Sequence, residues 1–79
     1  MKYVYILQSQ SDPGQFYAGI TDDLQARLLK HNNGSVTHTS KHRLWCIKTY
    51  VAFSEDARAS AFEKYLKSGS GRAFAKVRL

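Results

Sequence analysis

The chain has 79 residues, of which 43% are hydrophobic, 13% aromatic and 23% charged. This balance indicates one soluble globular domain over residues 1–79 and argues against a disordered or fibrous protein. The longest apolar run, residues 3–7, is far shorter than the roughly 20 residues of a membrane span and too short for a secretory signal. The single cysteine, Cys46, excludes an internal disulfide and a cysteine-based zinc site, which suits a reducing cytoplasm.

The first two predicted elements are the strands of a β-hairpin. Residues 2–8 alternate between two faces in β-favouring residue types, with Tyr5 on one of them. Asp-Pro-Gly at residues 12–14 is typical of a turn, and residues 15–20 then alternate again around Tyr17. We therefore expect these two segments to pair.

A helix is predicted after the hairpin. Thr21 stands where an N-cap belongs, and Asp22 and Asp23 in the first turn favour the positive end of the helix dipole. Gly34 is a typical stop signal. Residues 35–43 are polar and show neither helical nor strand periodicity, which predicts a loop.

The second half of the chain predicts one more strand and two helices. Residues 44–53 carry β-favouring side chains at every second position, namely Trp45, Ile47, Thr49, Val51 and Phe53. Ser54, followed by two acidic residues, opens a helix that ends at residues 68–71. Its apolar face is predicted to contain Ala57, Ala61, Phe62, Tyr65 and Leu66. A last short helix over residues 72–79 is expected to pack through Phe74 and Val77.

The element order is therefore ββαβα plus a short C-terminal helix. This order predicts an α+β fold in which helices pack on a three-stranded sheet, antiparallel or mixed.

Arg27 and His31 are the first candidate functional pair. At about 100° per residue, both adjoin the apolar stripe that contains Leu24 and Leu28. An arginine and a histidine one turn apart could contact a phosphate group. Alternatively, His31 favours the negative end of the helix and Arg27 pairs with Asp23.

Tyr5, Tyr17 and Glu63 are the remaining candidates. The two tyrosines could meet across the hairpin, although aromatic residues in strands more often serve packing. Glu63 is the one carboxylate without a role in a turn or at a helix start, and its alternative role is an ion pair with Lys67. A two-metal site needs several carboxylates, so at most a single metal ion is expected.

In order along the chain, these residues resemble the motifs of the GIY-YIG nuclease superfamily. Tyr-Val-Tyr at residues 3–5 stands where the family has Gly-Ile-Tyr, and Tyr-Ala-Gly at 17–19 stands where it has Tyr-Ile-Gly. The family's helical arginine falls on Arg27, its following histidine or tyrosine on His31, and its metal-binding glutamate on Glu63. The likeness covers nearly the whole chain and is strongest to the small stand-alone bacterial members.

The resemblance implies a metal-dependent endonuclease that hydrolyses phosphodiester bonds in DNA of particular structure. Tyr5 would act as general base, its pKa lowered by Arg27 and the metal. Tyr17 would position the water or the scissile phosphate, Arg27 would offset charge on the phosphoryl oxygens, and His31 would assist by hydrogen bonding. Glu63 would hold one Mg²⁺ or Mn²⁺, with water and substrate oxygens completing its shell.

The charge distribution supports a nucleic-acid partner. The formal net charge is +6, and the excess lies in residues 41–79, where nine basic residues stand against three acidic ones. DNA is favoured over RNA, no membrane is expected, and the oligomeric state is left open. The alternatives are a non-catalytic nucleic-acid-binding module of the same fold, an interaction protein with an acidic partner, and a basic surface that only maintains solubility.

Overall fold

A computed structural model describes all residues, 1–79. The elements in chain order are β1 (Lys2–Ser9), β2 (Phe16–Thr21), α1 (Leu24–Asn32), a 3₁₀ helix (Thr37–His42), β3 (Trp45–Phe53), α2 (Asp56–Leu66) and α3 (Gly69–Arg78). The three strands form one antiparallel sheet in the order β2-β1-β3, and the predicted α+β fold is confirmed. The longest helix has 11 residues, and none of the helices has the length and apolarity that a membrane span requires.

The sheet has a separate hydrophobic core on each face. In the central strand β1, Tyr5 and Leu7 belong to one core, and Val4 and Ile6 belong to the other, as the alternation predicts. Helix α1 packs on the first face, whereas α2 and α3 pack on the second. Side chains from α1 and from α2 can therefore meet only around an edge or an end of the sheet.

Strand β3 changes face halfway along its length. Leu7 pairs with Ile47 but Ile6 pairs with Thr49, so Lys48 is an extra residue in a β-bulge. Trp45 and Ile47, before the bulge, pack on the face of α1, whereas Phe53, an even number of positions later in the sequence, packs on the face of α2 and α3. The predicted strand is confirmed. The β-favouring residues at every second position continue on both sides of the bulge, so the sequence pattern does not reveal that these side chains change face there.

Helix α1 starts later than predicted. Its N-cap is Asp23, whose side chain accepts a hydrogen bond from the Ala26 backbone N–H at 3.1 Å. The expectation of Thr21 as the cap, with Asp22 and Asp23 in the first turn, was wrong because Thr21 is still in β2 and its hydroxyl accepts the Asp23 N–H. Gly34 stops the helix as predicted, with a φ of +83° that other residues rarely adopt.

The segment predicted as a loop contains the 3₁₀ helix. Six residues form it, and Thr39 within it is fully buried. The Trp45 indole N–H donates to the Thr39 carbonyl at 2.9 Å and attaches this helix to the start of β3. A 3₁₀ helix of this length is too short to produce a periodic pattern, and the prediction of an irregular loop was therefore wrong for these residues.

Helix α2 buries a different stripe from the predicted one. Ala59 and Leu66 are buried, and Phe62 and Glu63 between them are half-buried. Three residues of the predicted apolar face are instead exposed, Ala57, Ala61 and Tyr65. The buried and half-buried residues of α2 follow helical spacing, but one of them is a carboxylate. A pattern of apolar residues alone therefore does not identify this face. Glu63 consequently lies on the inner side of α2.

Helix α3 begins at Gly69, three residues before the predicted start, because the Ser68 side chain caps it. Phe74 contacts two aromatic rings of α2, in agreement with its predicted packing. Val77 is 75% exposed, contrary to expectation, and Leu79 packs against the core in its place.

Candidate active site

Tyr5 lies at the centre of the sheet and is only 2% exposed. It pairs with Gly19 of β2, and its ring lies across that residue. A Cβ at position 19 would overlap the Tyr5 hydroxyl, so only glycine leaves room for the phenol. Gly19 therefore has a steric role that the sequence analysis missed.

The Tyr5 hydroxyl belongs to a continuous series of side-chain hydrogen bonds. It accepts from Arg27 Nε at 3.3 Å and lies 2.9 Å from His31 Nε2. His31 Nδ1 lies 2.7 Å from Thr39 Oγ1, whose hydroxyl donates to the Val36 carbonyl at 3.3 Å. Because Thr39 uses its one proton there, its oxygen accepts from Nδ1–H. We therefore assign the proton of neutral His31 to Nδ1, which leaves Nε2 to accept from Tyr5.

Burial controls the protonation of this series. Burial raises the pKa of the Tyr5 phenol, and the opposing effect of the Arg27 hydrogen bond and charge is smaller. Burial, assisted by the Arg27 charge, lowers the pKa of His31. The phenol is thus protonated and the imidazole neutral near neutral pH. Arg27 acts on Tyr5 in the expected direction, but in the chain alone burial outweighs it.

Tyr17 approaches Tyr5 through His31 rather than directly across the strands. It pairs with Leu7, on the same face of the sheet as Tyr5 but displaced along the strand. The Tyr17 ring centroid lies 5.1 Å from that of His31, and the Tyr5 ring centroid lies 5.8 Å from it. Tyr17 is half-buried, so its phenol is more accessible than that of Tyr5.

Glu63 is linked to the candidate active site by Lys67, which contacts both Glu63 and Tyr17. The Lys67 Nζ lies 2.6 Å from Glu63 Oε2 and 5.6 Å from the centroid of the Tyr17 ring. The hydrogen bond that Lys67 donates to the Glu63 carboxylate raises the pKa of Lys67. The ion pair considered as the alternative role of Glu63 is therefore present, and it lies beside the candidate tyrosines. Lys67 is a second residue whose place in the site the sequence analysis did not anticipate.

The alternatives for Arg27 and His31 are not what the structure contains. The Arg27 side chain donates to Tyr5, and no ion pair links it to Asp23. His31 does lie in the last turn of α1, but it is fully buried beneath the two tyrosines and neutral, so it places no charge at the helix end. Thr39, its other partner, is the third residue that was missed, because it lies in the segment without periodicity.

Glu63 is the one carboxylate in contact with these residues, and no group of three or more potential ligands converges elsewhere in the chain. Magnesium in proteins often keeps several waters and takes only one or two carboxylates, together with phosphate oxygens. The donor set therefore fits one hard cation at Glu63, provided that the Lys67 ammonium leaves that carboxylate.

The sequence model described as the GIY-YIG catalytic domain matches residues 1–76. The chain belongs to the GIY-YIG family. Of the residues that carry the motif, Arg27 and His31 hydrogen-bond to the Tyr5 hydroxyl and Gly19 lies against it, and membership of this family supports a nuclease-like role.

Bacterial relatives of this GIY-YIG chain are UPF0213 proteins. One, from Bacillus anthracis, is 33% identical over 64 residues, which is 81% of this chain and 66% of the relative. Another, from Clostridium perfringens, is 35% identical over 68 residues, which is 85% of this chain and 71% of the relative. The match thus spans about two thirds of the length of these proteins.

Proposed function

We propose that this GIY-YIG domain hydrolyses phosphodiester bonds in DNA of particular structure, with one Mg²⁺ or Mn²⁺ ion. The observation that supports this proposal is the Tyr5 hydroxyl, which lies between Arg27 Nε at 3.3 Å and His31 Nε2 at 2.9 Å. This phenol has a cation on one side and a proton acceptor on the other, in a buried environment that strengthens both interactions.

The proposed proton path runs through the hydrogen bond between Tyr5 and His31. As water attacks the phosphorus atom, the Tyr5 oxygen takes a proton from the water and its own proton passes to His31 Nε2. This relay removes the need for a free phenolate, which burial disfavours. Thr39 accepts the Nδ1–H of His31 throughout. His31 then returns its proton to Tyr5, which releases one to solvent, and the leaving oxygen takes one up from solvent.

The other residues act on the phosphate. Arg27 offsets the charge that grows on the phosphoryl oxygens, since its guanidinium keeps N–H groups besides the Nε–H that binds Tyr5. Tyr17, the more accessible phenol, positions the water or the scissile phosphate. Glu63 holds the metal ion, which when bound stabilises the leaving oxygen.

The direct test is a cleavage assay with the purified chain. End-labelled flap, branched, nicked and single-stranded DNAs, with RNA counterparts, are incubated with Mg²⁺, Mn²⁺ or a chelator. We expect cleavage of at least one structured DNA that the chelator abolishes. Binding without cleavage on every substrate would instead indicate a non-catalytic nucleic-acid-binding module. Absence of both binding and cleavage would overturn the nucleic-acid assignment altogether.

A further inference from the structure

A cleft of about 830 Å³ opens beside the candidate active site, between the β1–β2 hairpin and α3. We call it the basic cleft because four of the 12 Lys and Arg side chains line it and no acidic residue does. These four residues are Lys48, Lys67, Arg72 and Lys76.

The cations of the basic cleft come from three separate elements. Lys48 is the bulge residue of β3, Lys67 follows α2, and Arg72 and Lys76 lie one turn apart on α3. Of these four residues, only Lys67 has an ion-pair partner within the chain. Positive charges gathered in a concave surface without carboxylates raise the local concentration of anions.

The basic cleft lies mainly on the α2–α3 face of the sheet and adjoins the candidate active site at Tyr17 and Lys67. Tyr17 and Lys67 line the cleft and also lie against His31 and Glu63, respectively. At the edge strand, Phe16 is 51% exposed, and Lys48 Nζ lies 5.4 Å from its ring centroid. Half of the 12 lining residues are hydrophobic, so the cleft combines phosphate-binding cations with apolar surface.

We propose that the basic cleft binds the sugar-phosphate backbone of nucleic acid on one side of the bond presented to Tyr17. This proposal rests on the proposed function of the adjoining site. Four cations distributed over β3, α2 and α3 can each contact a different phosphate of a nucleic-acid strand. A single small anion would be neutralised by only two or three of these cations. The apolar lining, with Phe16 at its rim, contacts the sugars and bases between those phosphates.

Two variants of equal net charge test the proposal. The cleft variant carries Lys48→Gln, Arg72→Gln and Lys76→Gln, and it leaves Lys67 intact because that residue contacts the candidate active site. The control variant carries Lys30→Gln, Lys41→Gln and Lys64→Gln, all exposed and outside the cleft. Affinity for a labelled oligonucleotide is measured by fluorescence anisotropy in chelator, so that no cleavage occurs.

We expect the cleft variant to bind the oligonucleotide at least about 10-fold more weakly than the parent chain. The slope of log K against log salt should become less negative by about two to three, which is roughly one for each lost phosphate contact. The control variant is expected to change affinity less than about threefold. Equal losses in the two variants, at matched melting temperatures, would overturn the proposal, because only net charge would then matter. Displacement of the oligonucleotide by equimolar inorganic phosphate would also overturn it.

These outcomes are separate from failure of the proposed function. A parent chain that binds through the basic cleft but never cleaves supports this inference and contradicts the nuclease proposal. A parent chain that does not bind nucleic acid contradicts both.

Discussion

The Tyr5 hydroxyl is the atom on which the proposed chemistry depends most, and its removal can be separated from loss of the fold. Tyr5→Phe keeps the ring over Gly19 and deletes only the group that exchanges protons with His31. We expect cleavage to fall by at least about 10²-fold, the usual contribution of a general base. The buried His31 Nε2 loses its partner, so the free energy of unfolding should drop by about 1–3 kcal/mol.

The matched control is Tyr3→Phe, which removes a phenol from the same strand and the same face of the sheet. Single-turnover cleavage and urea unfolding are measured for both variants and for Tyr17→Phe. If Tyr5→Phe cleaves as fast as Tyr3→Phe while Tyr17→Phe is inactive, the accessible phenol is the base and the relay through His31 is wrong.

A substitution at Arg27 tests the geometry of the guanidinium rather than its charge. Arg27→Lys keeps the positive charge but loses the Nε–H that binds Tyr5 and the planar fork that can grip phosphate oxygens. We expect the cleavage rate to fall about 10²-fold, the scale of other single electrostatic donors, with much smaller loss of DNA affinity. Arg58→Lys on α2 is the control, since that arginine is exposed and only pairs with Glu55. A lower melting temperature with an unchanged rate would show that Arg27 is structural.

At this scale, the sequence predicts residues that follow a period and misses those that do not. Tyr5 and His31 face one another because strand alternation and helical spacing each assign a face, and both assignments are correct. Thr39 lies eight residues after His31 in a segment without periodicity, so nothing in the pattern connects the two. The role of Gly19 depends on space that becomes visible only when the Tyr5 ring is placed over it.

At the scale of the helix, α2 carries the candidate metal ligand, Glu63, and its competitor, Lys67, directly follows the last residue of that helix. Lys67 and a metal ion cannot use the same Glu63 oxygen at once, so Lys67→Met should tighten Mn²⁺ binding. The side chains are 48% and 19% exposed, so the pair contributes modestly and we expect a gain of roughly two- to fivefold, the equivalent of about 0.5–1 kcal/mol. Glu63→Gln should abolish Mn²⁺ binding and metal-dependent cleavage while leaving the fold intact.

Titration of Mn²⁺ by electron paramagnetic resonance without DNA measures this affinity independently of activity. Lys64→Met is the control, because it removes a lysine charge from α2 without touching Glu63. Equal gains in the two lysine variants would mean that net charge alone changes the affinity. If Glu63→Gln cleaves at the parent rate, Glu63 is not a metal ligand and its only role is the ion pair with Lys67.

The 3₁₀ helix positions His31 and gives a prediction of its own. Thr39→Val keeps the shape of the side chain but removes the oxygen that accepts His31 Nδ1–H. A buried donor without a partner costs about 1–3 kcal/mol, which urea unfolding will show. Thr37→Val on the same helix is exposed and should change stability by less than about 0.5 kcal/mol. Nitrogen-15 NMR of the His31 ring should report the Nδ1-protonated form in the parent; the opposite tautomer would contradict our assignment.

Elements with several turns or alternations were predicted well, and short ones were not. The hairpin, α1, β3 and α2 all extend over enough residues for their periodicity to be detected. The six-residue 3₁₀ helix provides too few positions, and the capping contact of Ser68 extends α3 backward through two glycines that look like a terminator. In these places, tertiary contacts and side-chain caps decide the structure rather than periodicity.

For the whole molecule, the uneven charge predicts strongly salt-dependent binding. With three to four phosphates neutralised in the basic cleft, log K should fall with log salt at a slope of about −3. Affinity would then drop roughly 50- to 100-fold between about 50 and 200 mM salt. Anisotropy titrations over this range measure the slope, and an oligonucleotide analogue with an uncharged backbone is the control. A slope near zero for DNA would exclude phosphate neutralisation as the basis of binding.

The bulge at Lys48 has a further consequence for how this chain can be altered and compared. Deletion of that one residue would restore unbroken alternation and make Leu7–Ile47 and Ile6–Thr49 neighbouring pairs, so that Phe53 and the other later side chains of β3 would keep their faces. Loss of a single codon there should therefore leave the sheet and its cores intact, as should loss of one from the exposed turn at residues 10–14, because Lys48 is unpaired and exposed. An alignment with a homologue whose strand lacks the bulge needs a one-residue gap inside β3, where gaps are ordinarily penalised most.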